Sequence, residues 1–121
     1  MIYGIGVDII DSNRIKQSKF SLDRFAKHLL TTREKAIFKQ SKNKLAFISK
    51  RWASKEAISK AVGQGITSLV HWQNIEITSD QRGKPVVEFI GPLSTNLKGN
   101  CQLSISDESS FCVAFAILEL E

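Results

Sequence analysis

The sequence predicts an α+β fold, with helices mainly in the first half packed on a mostly antiparallel sheet, and three patterns carry that prediction. The opening residues alternate large apolar side chains with small or polar ones, as a strand does. Helical spacing of apolar residues then runs to Gly63, and short alternating runs with turn signals follow Gly65. Helices gathered ahead of strands argue for α+β rather than a regularly alternating α/β chain. A chain of 121 residues has material for one modest core, so a single domain over 1–121 is expected.

In residues 2–10, Tyr3, Ile5, Val7 and Ile9 form one apolar face, while Gly4, Gly6 and Asp8 share the other. Two glycines beside a carboxylate leave room for another backbone or a ligand to approach; the plainer alternative is a tightly packed strand ending at a capping aspartate. Residues 12–29 place Ile15, Phe20, Leu22, Phe25, Ala26 and Leu29 at spacings that suit one helix or two short ones, decorated by Arg14, Lys16, Lys19, Arg24 and Lys27. Leu30-Thr31-Thr32-Arg33-Glu34 has the form of a capping box with Thr31 as N-cap, opening a helix that runs to about Phe38.

The longest helix begins near Lys44, sets Leu45, Ile48, Trp52 and Ala53 on one side, and stops at Gly63. Ala53, Ala57 and Ala61 form a smooth stripe along it, and Glu56 and Lys60 are neighbours on an adjoining stripe. Strands are expected over 74–79 and 86–90, joined by Asp80-Gln81-Arg82-Gly83-Lys84-Pro85. A short helix over 92–98 comes next, then strands over 101–106 and 111–119 separated by the polar turn Asp107-Glu108-Ser109-Ser110.

Hydrophobic residues at 42% and charged residues at 24% exclude the composition of a disordered chain. The longest apolar run, 113–118, falls far short of the roughly 20 residues of a membrane span. The N-terminus has no basic flank and reaches Asp8 at once, unlike a signal peptide, so a cytoplasmic protein with no membrane partner is expected. Cys101 and Cys112 lie in strand-like segments without partners at metal-ligand spacing and read as buried thiols. The formal charge of +5 calls for an acidic partner, whether nucleic acid, an acidic protein or a phosphorylated small molecule.

The most specific stretch is Arg51-Trp52-Ala53-Ser54-Lys55-Glu56-Ala57-Ile58-Ser59-Lys60-Ala61-Val62-Gly63, coupled to Gly4-Ile5-Gly6-Val7-Asp8-Ile9. Here the chain closely resembles the small bacterial holo-acyl-carrier-protein synthases of the 4′-phosphopantetheinyl transferase family, whose pattern couples G-x-G-x-D-I to R-[FW]-x-x-K-E-A-x-x-K-A-x-G. The resemblance extends through Leu30-Thr31-Thr32-Arg33-Glu34, Gln64-Gly65-Ile66, Gly83-Lys84-Pro85 and Ser104-Ile105-Ser106, essentially the whole chain. One departure is visible: many members carry a histidine just before the Ser/Thr motif of the late strand, where this chain has Gln102, which can still donate a neutral hydrogen bond.

The resemblance implies transfer of the 4′-phosphopantetheine arm of coenzyme A to a serine of apo-acyl carrier protein in fatty acid biosynthesis, leaving adenosine 3′,5′-bisphosphate. Such a reaction is catalysed by positioning and by charge stabilisation at phosphate oxygens, and Mg2+ suits it because that ion accepts one or two protein carboxylates and leaves its other positions to water and phosphate. Asp8 and Glu56 match the family's metal pair. Lys60, one turn beyond Glu56, is placed on the pyrophosphate, and Glu56, directly or through a water on the metal, is the expected proton acceptor. Without the resemblance, Glu56 and Lys60 read as an ordinary surface pair. Coenzyme A contacts are expected at Arg51, Lys60, Gly63, Gly83, Lys84, Pro85, Ser104 and Ser106, the two serines being equally explicable as plain surface hydroxyls. Arg14 and Arg24 match positions that dock the acidic carrier, and Phe25 is a candidate apolar contact that reads more readily as core. The family also implies a homotrimer with active sites between subunits.

The competing reading is a small basic RNA-binding module, which requires aromatic residues interleaved with basic ones on a sheet face. Phe89, Phe111 and Phe115 lack basic neighbours in sequence, so no nucleic-acid partner is expected. A relative with a polyketide or peptide synthase carrier is a third reading, and the single-unit length favours the fatty-acid type.

Overall fold

The computed structural model describes residues 1–63, 65–66, 70–96 and 99–120, so Gln64 of the motif after the long helix and Lys98 of the expected short helix lie outside the described residues. Chain order is β1 (Ile2–Asp11), α1 (Ser12–Lys16), α2 (Leu22–Leu29), α3 (Thr32–Gln40), α4 (Lys44–Val62), a 3-10 turn (Trp72–Asn74), β2 (Ile75–Ser79), β3 (Pro85–Phe89), α5 (Pro92–Asn96), β4 (Gly99–Glu108) and β5 (Phe111–Leu120). The strands form a three-stranded sheet in the order β1-β5-β4 and a β2-β3 hairpin, every pairing antiparallel. The architecture is α+β, as the sequence predicts.

The starts of α1 to α4 each have a side chain that accepts from an orphan amide. Asp11 caps α1, Ser21 caps α2, Asn43 caps α4, and Thr31 with Glu34 forms the complete capping box of α3. Residues 12–29 resolve into the two short helices α1 and α2. Gly63 ends α4 with φ 97°, a left-handed conformation that costs glycine nothing.

The packing of α4 on the large sheet explains the glycines of β1. A Cβ on Gly4 would run into the carbonyl of Ala61, and one on Gly6 into the carbonyl of Ala57. The glycine face of the strand and the alanine stripe of the helix are therefore two halves of one close contact. The neighbouring strand conforms: Gly6 lies opposite Ala116 and Asp8 opposite Ala114, both fully buried. Cys101, Leu103, Cys112 and Leu118 complete that core with Ile75 and Ile77 of the hairpin, while a second cluster around Leu30, Phe38 and Ile48 lies under α2 and α3.

Several strand boundaries differ from expectation for physical reasons. Asp107 and Glu108 belong to β4, paired with Cys112 and Phe111, and the turn is only Ser109-Ser110, with Ser109 at φ 57°. Polar residues on the open side of a strand look like a turn in sequence. Asn74 closes the 3-10 turn instead of opening β2, and Pro85 opens β3, where a missing amide hydrogen is tolerated.

Candidate functional site

Asp8 and Glu56 line the same cleft of about 410 Å³, Asp8 from β1 and Glu56 from α4, with Asp11, Arg14, Phe25 and Trp52 among the other walls. The chain separation of the two carboxylates is bridged by the glycine–alanine contact, which lays β1 directly on α4. Lys60 Nζ donates to Asp8 Oδ1 at 3.1 Å and to the Val7 carbonyl at 3.0 Å. Lys60 thus pairs across to the strand rather than back along its own helix, because the close packing offers two acceptors there. Among the described residues Glu56 has no ion-pair partner.

The same cleft gathers two of the expected carrier contacts, Arg14 and Phe25. Phe25 also borders an adjoining apolar pocket of about 270 Å³ with Arg24, His28, Trp52 and Trp72. Arg24 lies over the Phe20 ring at 4.2 Å, and Phe25 meets Trp52 at 5.3 Å between ring centres. Phe25 therefore serves both packing and the cleft wall. Asp11, Phe20 and Trp52 were not singled out as site residues by the sequence reading; the strict place of Trp52 in the long-helix motif was a signal for it, and for Phe20 there was none.

A second cleft, of about 660 Å³, brings together Arg51, Gly83, Lys84, Pro85 and Ser104, with Phe47 and Lys50. Ser106 is exposed on the same strand but does not line it, Gly63 closes α4, and Lys60 is at Asp8. The expected coenzyme A contacts thus separate into groups on either side of α4, with Trp52 and Glu56 facing one cleft and Phe47 and Arg51 the other. The β2-β3 turn that carries Gly83 and Lys84 is held by Asp80, whose Oδ1 accepts from the amides of Arg82 at 2.8 Å and Lys84 at 2.9 Å.

Between α3, α4 and β2 lies a buried ionic cluster. Lys55 Nζ donates to Glu34 Oε1 at 2.6 Å and to the carbonyls of Leu29 and Trp72 at 2.8 Å each. Burial pulls the Lys55 ammonium down to about 8, against the opposing pull of Glu34. Burial likewise lowers Arg51, and Glu34, 3.3 Å from Arg51 Nε in an ion pair rather than a well-directed hydrogen bond, pushes it back up. The thiols of Cys101 and Cys112 are both raised by burial, Cys101 to about 11, which makes them inert at neutral pH.

Phe111 and Phe115 are exposed on the sheet, opposite Asp11 and Val7 on one side and Glu108 and Ser104 on the other. No basic residue is in register with them, which argues against a stacking platform for RNA.

Comparison with known proteins agrees with this geometry. A family described as the 4′-phosphopantetheinyl transferase superfamily matches residues 4–116. The holo-acyl-carrier-protein synthase of Halalkalibacterium halodurans is 40% identical, over 98% of this chain and 97% of its own. Among solved structures, the holo-acyl-carrier-protein synthase of Neisseria meningitidis superposes with TM-score 0.89 at 38% identity, covering 98% of this chain and 99% of that one. The Bacillus anthracis enzyme, solved in complex with CoA (3′,5′-ADP), gives TM-score 0.87 at 40% identity, covering 100% of this chain and 99% of that one.

Proposed function

The chain belongs to the 4′-phosphopantetheinyl transferase superfamily, and we infer that it moves the 4′-phosphopantetheine moiety of coenzyme A onto a serine of apo-acyl carrier protein. The observation that carries this reading is the convergence of Asp8 and Glu56 on one cleft, with Lys60 on Asp8 and Arg14 and Phe25 on the wall. The named relatives and the coenzyme A complex of the Bacillus anthracis enzyme support the substrate pair.

The donor set fits Mg2+: two carboxylates share a cleft, and no cluster of three or more metal-ligating side chains exists among the described residues, so water and phosphate would fill the other positions. Asp8 and Glu56 would hold the ion, which supplies neutralisation of the pyrophosphate oxygens. Lys60, already a donor at Asp8, adds a compact positive charge on the leaving side. Glu56, with no cation of its own among the described residues, accepts the proton of the attacking serine. Arg14 and Arg24 meet the acidic carrier while Phe25 offers an apolar contact.

The bisphosphate end of coenzyme A belongs to the second cleft, with Arg51, Gly83, Lys84, Pro85 and Ser104. Because α4 stands between the clefts, a complete site is formed when copies of the chain assemble, as a homotrimer, across the bare apolar face of the large sheet. The setting is the cytoplasm, where coenzyme A and apo carrier are at hand.

The test is direct. Protein, coenzyme A and apo carrier are incubated with and without Mg2+ and the carrier is weighed by mass spectrometry. A gain of one phosphopantetheine is expected only with the metal, and the rate falls at least about a thousand-fold in Asp8→Ala or Glu56→Ala. Unchanged carrier mass, or full activity in both variants, would sink the reading.

A further inference from the structure

A capping box asks one contact of its glutamate, an acceptor for the amide at the helix start. Glu34 makes four. Its Oε1 accepts from the Thr31 amide at 2.9 Å and from Lys55 Nζ at 2.6 Å, and its Oε2 accepts from the Ile77 amide at 3.0 Å and faces Arg51 Nε at 3.3 Å. Glu34 is 0% exposed. A carboxylate so deeply desolvated is tolerated only when its lone pairs are met, and helix capping alone does not require that burial.

The two cations on Glu34 differ in what they have left to give. Lys55 spends its three protons on Glu34, Leu29 and Trp72. Arg51 faces Glu34 through Nε at 3.3 Å, its guanidinium lies over the Phe47 ring at 4.4 Å, and it pairs with no second carboxylate among the described residues. With Glu76, which acts on Lys55 and pairs with Arg33, two carboxylates face three cations, and Arg51 carries positive charge to the lining of the second cleft beside Lys50 and Lys84. A planar guanidinium that faces a carboxylate at Nε and is stacked on one face presents the fork that a phosphate accepts.

We propose that Glu34 is a positioning residue, which with Phe47 aims the Arg51 guanidinium at a phosphate in the second cleft and so sets the affinity for coenzyme A and its bisphosphate product. This rests on the reading that the second cleft takes the bisphosphate end of coenzyme A. Glu34 touches no substrate; it acts through Arg51.

The experiment is calorimetric titration of the purified assembled protein with adenosine 3′,5′-bisphosphate, run on wild type, Glu34→Gln, Phe47→Leu, Arg51→Ala and both double variants with Arg51→Ala. Arg51→Ala and Glu34→Gln each weaken binding about tenfold, and Phe47→Leu weakens it by a few-fold. Neither Glu34→Gln nor Phe47→Leu adds anything once Arg51 is alanine. In turnover, Glu34→Gln raises KM for coenzyme A while kcat at saturation stays within about two-fold. If Arg51→Ala binds as wild type, the bisphosphate lies elsewhere and the underlying reading of the cleft falls, and this inference with it. If Arg51→Ala weakens binding but folded Glu34→Gln does not, or its loss persists undiminished in the Arg51→Ala background, the inference alone is overturned. Should Glu34→Gln fail to fold, Phe47→Leu decides by the same rule, since it leaves the buried charges untouched.

Discussion

The two faces of β1 are built from opposite materials and lead to opposite surroundings. One carries Gly4, Gly6 and Asp8 and is pressed against α4 so closely that no side chain larger than hydrogen fits at either glycine. The other carries Tyr3, Ile5, Val7 and Ile9, each more than half exposed, beside the exposed rings of Phe111 and Phe115. The usual expectation puts the large apolar face inside. Here the small face is inside because a backbone-to-backbone approach is what brings Asp8 to the cleft of Glu56, and the large face is left as a contiguous apolar patch. Such patches mark interaction sites, and burying the exposed part of each large side chain contributes about 1 kcal/mol. One strand thus carries a cleft carboxylate on one face and leaves a bare apolar surface on the other.

A charge placed on the outer face breaks the comparison most severely. Ile5→Asp, alone or with Val7→Asp, leaves the α4 contact untouched, since both side chains point away from it. On the proposed assembly the variant is expected to sediment as a monomer with its circular dichroism unchanged and to lose about a hundred-fold or more in carrier modification, because the two clefts would no longer complete one another. An oligomeric variant of full activity would separate the apolar face from assembly.

Filling the inner face comes next. In Gly6→Ala the new Cβ meets the Ala57 carbonyl, a backbone atom in mid-helix that has nowhere to retreat. A loss of about 3 kcal/mol, the upper range of overpacking, is expected in urea denaturation, with Gly4→Ala comparable. A midpoint like that of wild type would show that α4 and β1 have slack, and the convergence of Asp8 and Glu56 would then need another cause.

How much of this was legible in the sequence follows the range of the contacts involved. The alternation of β1, the alanine stripe, the capping box at Thr31 and the stop at Gly63 are local and periodic, and each is seen in place. The glycine face predicts room for a backbone or a ligand and the alanine stripe a helix able to come close, and the structure fits the one against the other. Lys60 is expected on the pyrophosphate, with an ordinary pair to Glu56 as the plainer alternative, whereas its partner Asp8 is 52 residues away in sequence, a separation no periodicity encodes. The Glu34–Lys55 pair spans 21 residues, and only one of the four contacts of Glu34 belongs to the local motif. The division between two clefts of the residues expected to contact coenzyme A was hidden for the same reason, since Arg51 and Trp52 are adjacent in sequence and face different sides of α4.

The smallest expected effect tests the inner face from its far strand. Cys101 is buried on β4, and burial pushes its thiol from the ordinary 9.0 up to about 11. At pH 8 that leaves about a hundred-fold less thiolate than an exposed cysteine has, so alkylation by iodoacetamide should be slow until the protein is unfolded. The same shift sets a pH dependence. Because the folded state holds the thiol proton more tightly than the unfolded chain, the stability this group contributes is full below pH 9 and is lost as pH rises toward 11. Lys55 works the other way: its ammonium, lowered from 10.5 to about 8, releases its proton first in the folded state, so the stability it contributes rises with pH over that interval. Comparing wild type with Cys101→Ala removes the contribution of Lys55, which is common to both. Between pH 8.5 and 11 wild type should lose up to about 2 kcal/mol more than the variant, and parallel curves would mean that the thiol is wetter than its place under α4 implies.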